Sequence, residues 1–201
     1  MTTELAKPHH HGDLRRALVN AGMRLLAEGG LPALTLRACA ARAGVSHAAP
    51  AHHFAGLPGL LAAIATEGYR LFTKAMLDER AKAADNPRAR LEAICKGYLN
   101  FAAAHPALFN LMFGPTPMPE DNAEVGQVAD AAYDVLVAGC APFVPDGQEP
   151  IVTEMTIWSL VHGFALLLMY RNRGLYSQDS HGFDITDLLR PFFQSTPIGV
   201  T

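Results

Sequence analysis

The chain has 201 residues, 50% of them hydrophobic and 17% charged, with a net charge of −3. A length of that order holds one or two domains of roughly 100–200 residues, and the apolar content excludes a disordered chain. Three cysteines, Cys39, Cys95 and Cys140, make no C-x-x-C pair and no even count, which argues against a disulfide framework and for a reducing compartment.

The opening MTTELAKPHHHGDLRR has no apolar run able to act as a signal peptide, so a cytoplasmic location is expected. Charge is unevenly placed. Residues 1–58 carry six basic and three acidic side chains, net +3, and residues 59–201 carry ten basic and sixteen acidic ones, net −6. Six of the nine histidines also fall in the first part. A basic head on an acidic body suits a chain that touches phosphates with one end.

No stretch sustains the alternation of a strand, and apolar residues recur at steps of three and four almost throughout, so the expected fold is all-α. A first helix is expected from about Asp13 to Glu28, ending at Gly29-Gly30. Thr35 stands as an N-cap before a short helix, Leu36 to Ala43. Gly44 ends it, and Ser46 is placed to cap a third helix reaching Phe54. Two short helices joined by a glycine-containing turn form a helix-turn-helix, making the front of the chain a three-helix bundle. Pro50 would be the fourth residue of that third helix, where its missing N–H costs only the first bond, to the Ser46 carbonyl.

A long helix is expected from Gly59 to Ala84, and Asn86-Pro87 opens the next, which ends at His105-Pro106. A short apolar segment, Ala107 to Phe113, is followed by a loop, GPTPMPEDN, and by a helix from Ala123 to Ala138. The helix from Ile151 to Asn172 contains sixteen uncharged residues, MTIWSLVHGFALLLMY. That falls short of the roughly 20 needed to span a bilayer, so no membrane span is expected. A helix apolar on nearly every side must be covered on every side, most simply by a second copy of itself through Leu160, Phe164, Leu167, Leu168 and Phe192. Asp184 to Phe193 adds a last short helix.

The segment GDLRRALVNAGMRLLAEGGLPALTLRACAARAGVSHAAPAHHF resembles the N-terminal domain of the TetR family of bacterial transcriptional regulators. Several features occur in the family's order: Ala21, Gly29, Thr35-Leu36-Arg37, Ala40, Gly44-Val45-Ser46 and His53-Phe54. Trp158, His162 and Gly163, together with His10-His11-Gly12-Asp13-Leu14-Arg15, also resemble the pattern of a subgroup with a WHG-type C-terminal domain. The resemblance implies a homodimer whose third helix enters the major groove of a palindromic DNA operator and whose body binds a small-molecule effector that lowers DNA affinity. It divides the chain into a DNA-binding domain, 1–58, and an effector-binding and dimerisation domain, 59–201. It implies no cofactor.

Two positions depart from the family's pattern. Where the family has a phosphate-holding tyrosine three residues before Phe54 and a lysine near the start of the fourth helix, this chain has Ala51 and Leu57. The expected phosphate contacts are therefore Thr35, Arg37, Arg42 and His53. Base edges would be met by His47, Ala48, Ala49 and His52, which follow Ser46. Alanines pack only on thymine methyls and a histidine makes single hydrogen bonds, so discrimination should be modest. Histidines also charge between about pH 5 and 8, so affinity for DNA should rise as pH falls.

For the effector, Tyr98, Phe101, Phe109, Met112, Phe113, Tyr133, Trp158 and His162 form a set that could line an apolar pocket with a few polar handles. The competing reading is plain core packing. Trp158 and His162 stand one turn apart and can meet. His9-His10-His11 lacks the spacing of a closed metal site and reads better as an arm on the DNA backbone, and His105 reads as a helix cap. No G-x-S-x-G, H-E-x-x-H, P-loop or dinucleotide fingerprint occurs, which argues against an enzyme. A remaining alternative is a ligand-binding relative with weak or lost DNA binding, which Ala51 and Leu57 suggest.

Overall fold

The structure is a computed structural model of the chain and describes residues 11–115, 122–171 and 185–195. Among these residues every regular element is helical. The head comprises α1 (His11–Ala33), α2 (Leu36–Ala43) and a four-residue 3-10 turn, Ala49–His52. The body follows with α3 (Gly56–Arg80), α4 (Pro87–Ala104), α5 (Pro106–Phe113), α6 (Ala123–Cys140), α7 (Pro150–Arg171) and α8 (Ile185–Ser195). His9 and His10 lie outside the described residues, and His11 enters only as the first backbone position of α1. Most of the loop after Gly114 also lies outside them.

Helix starts follow the capping side chains. Thr35 Oγ1 accepts the Ala38 N–H at 3.0 Å, Asn86 Oδ1 accepts that of Ala89 at 2.9 Å, and Asn122 Oδ1 accepts that of Val125 at 3.1 Å. Each fills one of the donors a helix leaves open at its first turn. Gly30 breaks α1 with φ 67 and ψ −168, so the regular helix ends near the expected Gly29-Gly30, and a turn containing Pro32 completes the element. The long helix α3 starts three residues earlier than expected and ends at Arg80, before Ala84. His105 lies between α4 and α5, but its side chain makes no cap bond, and its ring instead stands 5.2 Å from that of Phe101.

The head closes on Leu18, Leu26, Leu34, Cys39 and Phe54, and its core continues into that of the body through Leu60 and Ile64 of α3. Helix α1 touches both α3 and α5, so head and body share packing. In the body α3 and α4 pack tightly at Gly97, where an added Cβ would lie 2.6 Å from the Met76 Cα and 2.5 Å from the Ala75 carbonyl oxygen. Only glycine fits that crossing.

Helix α7 turns Ile157, Val161 and Ala165 into this core. Its other side stays open: Ile151, Val152 and Leu167 are exposed, the three lying between 47% and 50%. The apolar stretch is longer than the sixteen residues counted above, because Pro150–Met169 averages a hydropathy of 1.6 over a membrane-spanning length. Packing against α4 and α6 accounts for its inner face. Of α8, Leu189 is fully buried and the ring of Phe192 lies 6.0 Å from that of Phe143.

Candidate DNA interface and effector cavity

The segment after Gly44 departs from the expected third α-helix. Gly44 itself has φ 69 and ψ 31, the left-handed conformation that ends a helix on glycine. The following residues hydrogen-bond three apart: Ala49 N–H to the Ser46 carbonyl, Ala51 to Ala48, and His53 to Pro50. Ser46 caps nothing with its side chain, and Ala48 stands at the N-cap position of the short turn. Pro50 explains the change. It has no N–H to give the Ser46 carbonyl, and it disfavours the α conformation in Ala49 before it, so the chain winds tighter. The proline is therefore the second residue of a 3-10 turn, not the fourth of an α-helix, and it is buried beneath the exposed surface.

That surface consists of Ser46, His47, Ala48, Ala51 and His52, all exposed, with Ala49 and His53 half-buried. Four residues of 3-10 helix span only about 8 Å, so few base pairs come within reach. Thr35 is exposed, but its oxygen already accepts the cap bond and retains only its O–H to give a phosphate. Arg37 is exposed and close by in sequence. Arg42 differs from it. Its guanidinium grips Glu28 with two parallel bonds of 2.5 and 2.6 Å, joining α2 to α1. The Arg42 bond holds the Glu28 carboxyl below its ordinary range, and Glu28 in turn raises Arg42. Leu57 packs against the core, and Ala51 presents only a methyl to solvent.

Arg15 ties the head to the body. Its guanidinium stands 5.7 Å from the centre of the Phe54 ring, just beyond the 3-10 turn, and reaches Glu124 of α6 at 3.4 Å. Glu124 also accepts from Arg70 of α3 at 3.1 Å.

The body encloses a cavity of about 90 Å³. Helix α3 contributes Tyr69, Phe72 and Met76 to its wall, and α4 contributes Ile94, Cys95 and Tyr98. Phe113 closes one side from α5, Ala129, Ala132, Tyr133 and Leu136 come from α6, and Trp158 and Val161 from α7. Of the eight side chains singled out from sequence, the wall thus contains Tyr98, Phe113, Tyr133 and Trp158. Phe101, Phe109 and Met112 lie outside it and are at most 5% exposed, as core residues are. Phe72 packs edge-on to Tyr98 with ring centres 4.7 Å apart, which makes it the wall residue whose aromatic signal was most readily missed. Its place on α3, next to Tyr69 one turn before it, was the available clue.

Each tyrosine hydroxyl of the wall is held by the protein. Tyr69 donates to the Met112 carbonyl at 3.2 Å, Tyr98 meets His162 Nδ1 at 2.7 Å, and Tyr133 donates to Glu154 Oε2 at 2.5 Å. Burial raises the Tyr98 hydroxyl, and burial together with the Glu154 bond pushes Tyr133 up to about 12. His162 is lowered by burial, so its ring sits neutral behind the wall, stacked on Phe109 at 5.4 Å. Trp158 and His162 approach the same Tyr98 side chain, and the Trp158 ring itself lies 5.5 Å from that of Tyr133. Among the described residues no group of three histidine, cysteine or acidic side chains could hold a metal ion.

Comparison with known proteins agrees with this arrangement. Residues 18–64 match the family model described as bacterial regulatory proteins, tetR family, and residues 91–185 match the tetracyclin repressor-like C-terminal domain. The HTH-type transcriptional regulator BetI of Burkholderia mallei is 41% identical over 83 residues, which is 41% of this chain and 43% of that protein. The chain therefore spans less than half the length of the curated relatives it matches. A protein of unknown function from Rhodococcus sp. RHA1 shares the fold with a TM-score of 0.78 and 30% identity, covering 95% of this chain and 99% of that one. The regulator FadR from Bacillus subtilis, solved with stearoyl-CoA, has the same fold at a TM-score of 0.66, with 12% identity and 88% and 94% of the two chains covered. With a helix-turn-helix head, an all-helical body and both family patterns in place, the chain belongs to the TetR family of DNA-binding transcriptional regulators, which are not enzymes.

Proposed function

We propose that the protein is a cytoplasmic repressor that binds a palindromic operator as a homodimer and is released by a small, mostly apolar effector in the aromatic cavity. Residues 1–58 would act as the reading head and 59–201 as the effector-binding and dimerisation unit. Phosphates would be met by Thr35, Arg37 and His53, and base edges by His47, Ala48, Ala49 and His52 beside Ser46. The exposed Ile151, Val152 and Leu167 of α7 supply apolar surface for a partner copy.

The observation that carries this reading is the double duty of α6. Its middle walls the cavity through Ala129, Ala132 and Tyr133, and its first turn bonds the head through Glu124 and Arg15. A molecule that forces the wall outward moves the same helix that steadies Arg15 against Phe54. Two heads held at a changed spacing no longer fit half-sites one helical turn apart.

A second reading, a ligand-binding relative with weak DNA binding, is favoured by the short 3-10 turn, by Ala51 and Leu57, and by the engagement of Arg42 with Glu28. Selection of duplex fragments by the purified protein separates the two. The repressor reading expects a palindromic winner whose affinity falls with salt by roughly 0.9 log units per phosphate neutralised for each log unit of salt. It also expects that affinity to drop when the cavity is filled. No enrichment at low salt would leave only the second reading.

A further inference from the structure

We propose that the protein carries a second binding site, apart from the aromatic cavity, in the cleft where the end of α1 faces α4, α5 and α7, and that it takes an uncharged apolar molecule with one hydrogen-bond donor. The occupant touches head and body at once.

Size gives the first argument. The cleft has a volume of about 620 Å³, against about 90 Å³ for the aromatic cavity. Small-molecule sites usually measure roughly 300–1,000 Å³, so the cleft takes a multi-ring molecule that the cavity cannot hold. The head contributes Gly30, Leu31 and Pro32, the turn that follows the break in α1. The body contributes Ala103 of α4, Asn110 of α5 and Met169 of α7 to the rim, over buried Leu99, Ala102 and Ala165. Leu31 is 37% exposed there, an apolar side chain left out of the core. The side of α7 proposed to meet a partner copy is a different one, because Leu167 stands about 200° around the helix from Ala165.

The wall sets the chemistry of the occupant. No charged side chain and no histidine lines the cleft, so an ion entering it would give up water without meeting a counter-charge. Asn110 is the one polar side chain of the wall, and its amide makes no hydrogen bond to the described residues. Pro106, the first residue of α5, has no N–H to give the Ala102 carbonyl, so a second acceptor borders the same space. An apolar body covers the floor, and one donor serves Asn110 Oδ1 or that carbonyl.

Position gives the site its effect. Helix α1 rests on α5, and a smaller void of about 130 Å³ adjoins the same contact, between Met23, Leu26 and Ala27 of α1 and the stretch from His105 to Leu108. Close packing transmits position, and two voids at one contact leave the tilt of the head on α5 loosely fixed. A molecule wedged into the larger space sets that tilt.

The probe is N-phenyl-1-naphthylamine, which is uncharged, has one N–H and fluoresces brightly only in apolar surroundings. It should brighten on the wild-type protein and raise its melting temperature. The sulfonated form, 8-anilinonaphthalene-1-sulfonate, should bind at least tenfold more weakly. Ala103→Trp, at an exposed position of the wall, fills the cleft and should abolish both signals, and Asn110→Leu should weaken the probe at least threefold. Ala129→Phe fills the aromatic cavity instead and should leave the probe within twofold. An Ala103→Trp protein that binds as the wild type does overturns the proposal, as does loss of the probe on Ala129→Phe alone. A sulfonate that binds as tightly as the uncharged probe overturns the ligand class, and an Asn110→Leu protein that binds unchanged overturns the donor. On a duplex selected as above, the probe should shift operator affinity at least threefold in the wild type and leave Ala103→Trp unaffected. No shift at a saturated cleft overturns the wedge. That last measurement alone rests on the repressor reading: if no duplex is selected, the repressor reading falls and the fluorescence measurements still decide the site.

Discussion

Head and body spend the same residue types in opposite ways. In the head, the side chains proposed to meet DNA stand in solvent: Arg37, Ser46, His47 and His52 are exposed, and the segment from Ser46 to His53, which carries three of them, is held by backbone bonds and a buried proline. In the body, the side chains proposed to meet an effector face inward, and their polar ends are held by other protein groups. A surface that must meet phosphates stays wet and adjustable, whereas an apolar cavity is specified by packing and by what it leaves unpaired. Two glycines show the same contrast. Gly44 is needed for its backbone angle, with nothing within 4 Å of an added Cβ, and Gly97 is needed for space against the α3 backbone.

The largest effect should follow from breaking the body's crossing. Gly97→Ala pushes a methyl into Ala75 and Met76 main chain, which cannot rotate away, and should cost about 3 kcal/mol in denaturant unfolding. Gly44→Ala meets open space and should cost about 1 kcal/mol, the penalty of a left-handed alanine. Equal losses at the two sites would mean that the α3–α4 crossing relaxes freely.

Charge in the head sharpens the comparison at the next level. Arg37→Ala should weaken operator binding severalfold and flatten the salt dependence by about one unit, as the loss of one phosphate contact does. Arg42→Ala should leave that slope unchanged, because Arg42 joins α2 to α1 through Glu28. A flattened slope in the Arg42 variant would return it to the phosphate set. Thr35→Ala should cost about 1 kcal/mol of stability through the lost cap, and a weakened operator complex beyond that loss would reveal a phosphate bond from its hydroxyl.

Most helix boundaries were legible because they depend on a few local residues. Thr35, Gly44, Asn86 and Pro106 stop or start helices by capping and by lost donors, and those effects need no tertiary information. The third helix departs from the expected α-helix for an equally local reason. Without an N–H on Pro50 the Ser46 carbonyl is served from Ala49, and the tighter winding then persists to His52. The cavity was legible only in part. Aromatic residues on one helix give no sign of which ring faces a void and which a neighbour, so Phe109 and Phe101 looked no different from Phe113. The buried Glu154 carried no signal at all, because a glutamate near a helix start is ordinarily a solvated one.

The smallest effect is that of pH on the body. His162 has its pKa lowered by burial, so the unfolded chain binds the proton more readily than the folded one. Its contribution to stability is fully present above the ordinary histidine value of about 6.5 and is lost as pH falls below it. The opposite case is Tyr133, raised to about 12, whose contribution is present below about 10 and lost as pH rises from there to about 12. Between pH 8 and 6, thermal stability should therefore fall slightly. Replacing His162 by glutamine should remove that acid loss, and a loss that survives the substitution would place the responsible group outside the set packed behind the cavity wall.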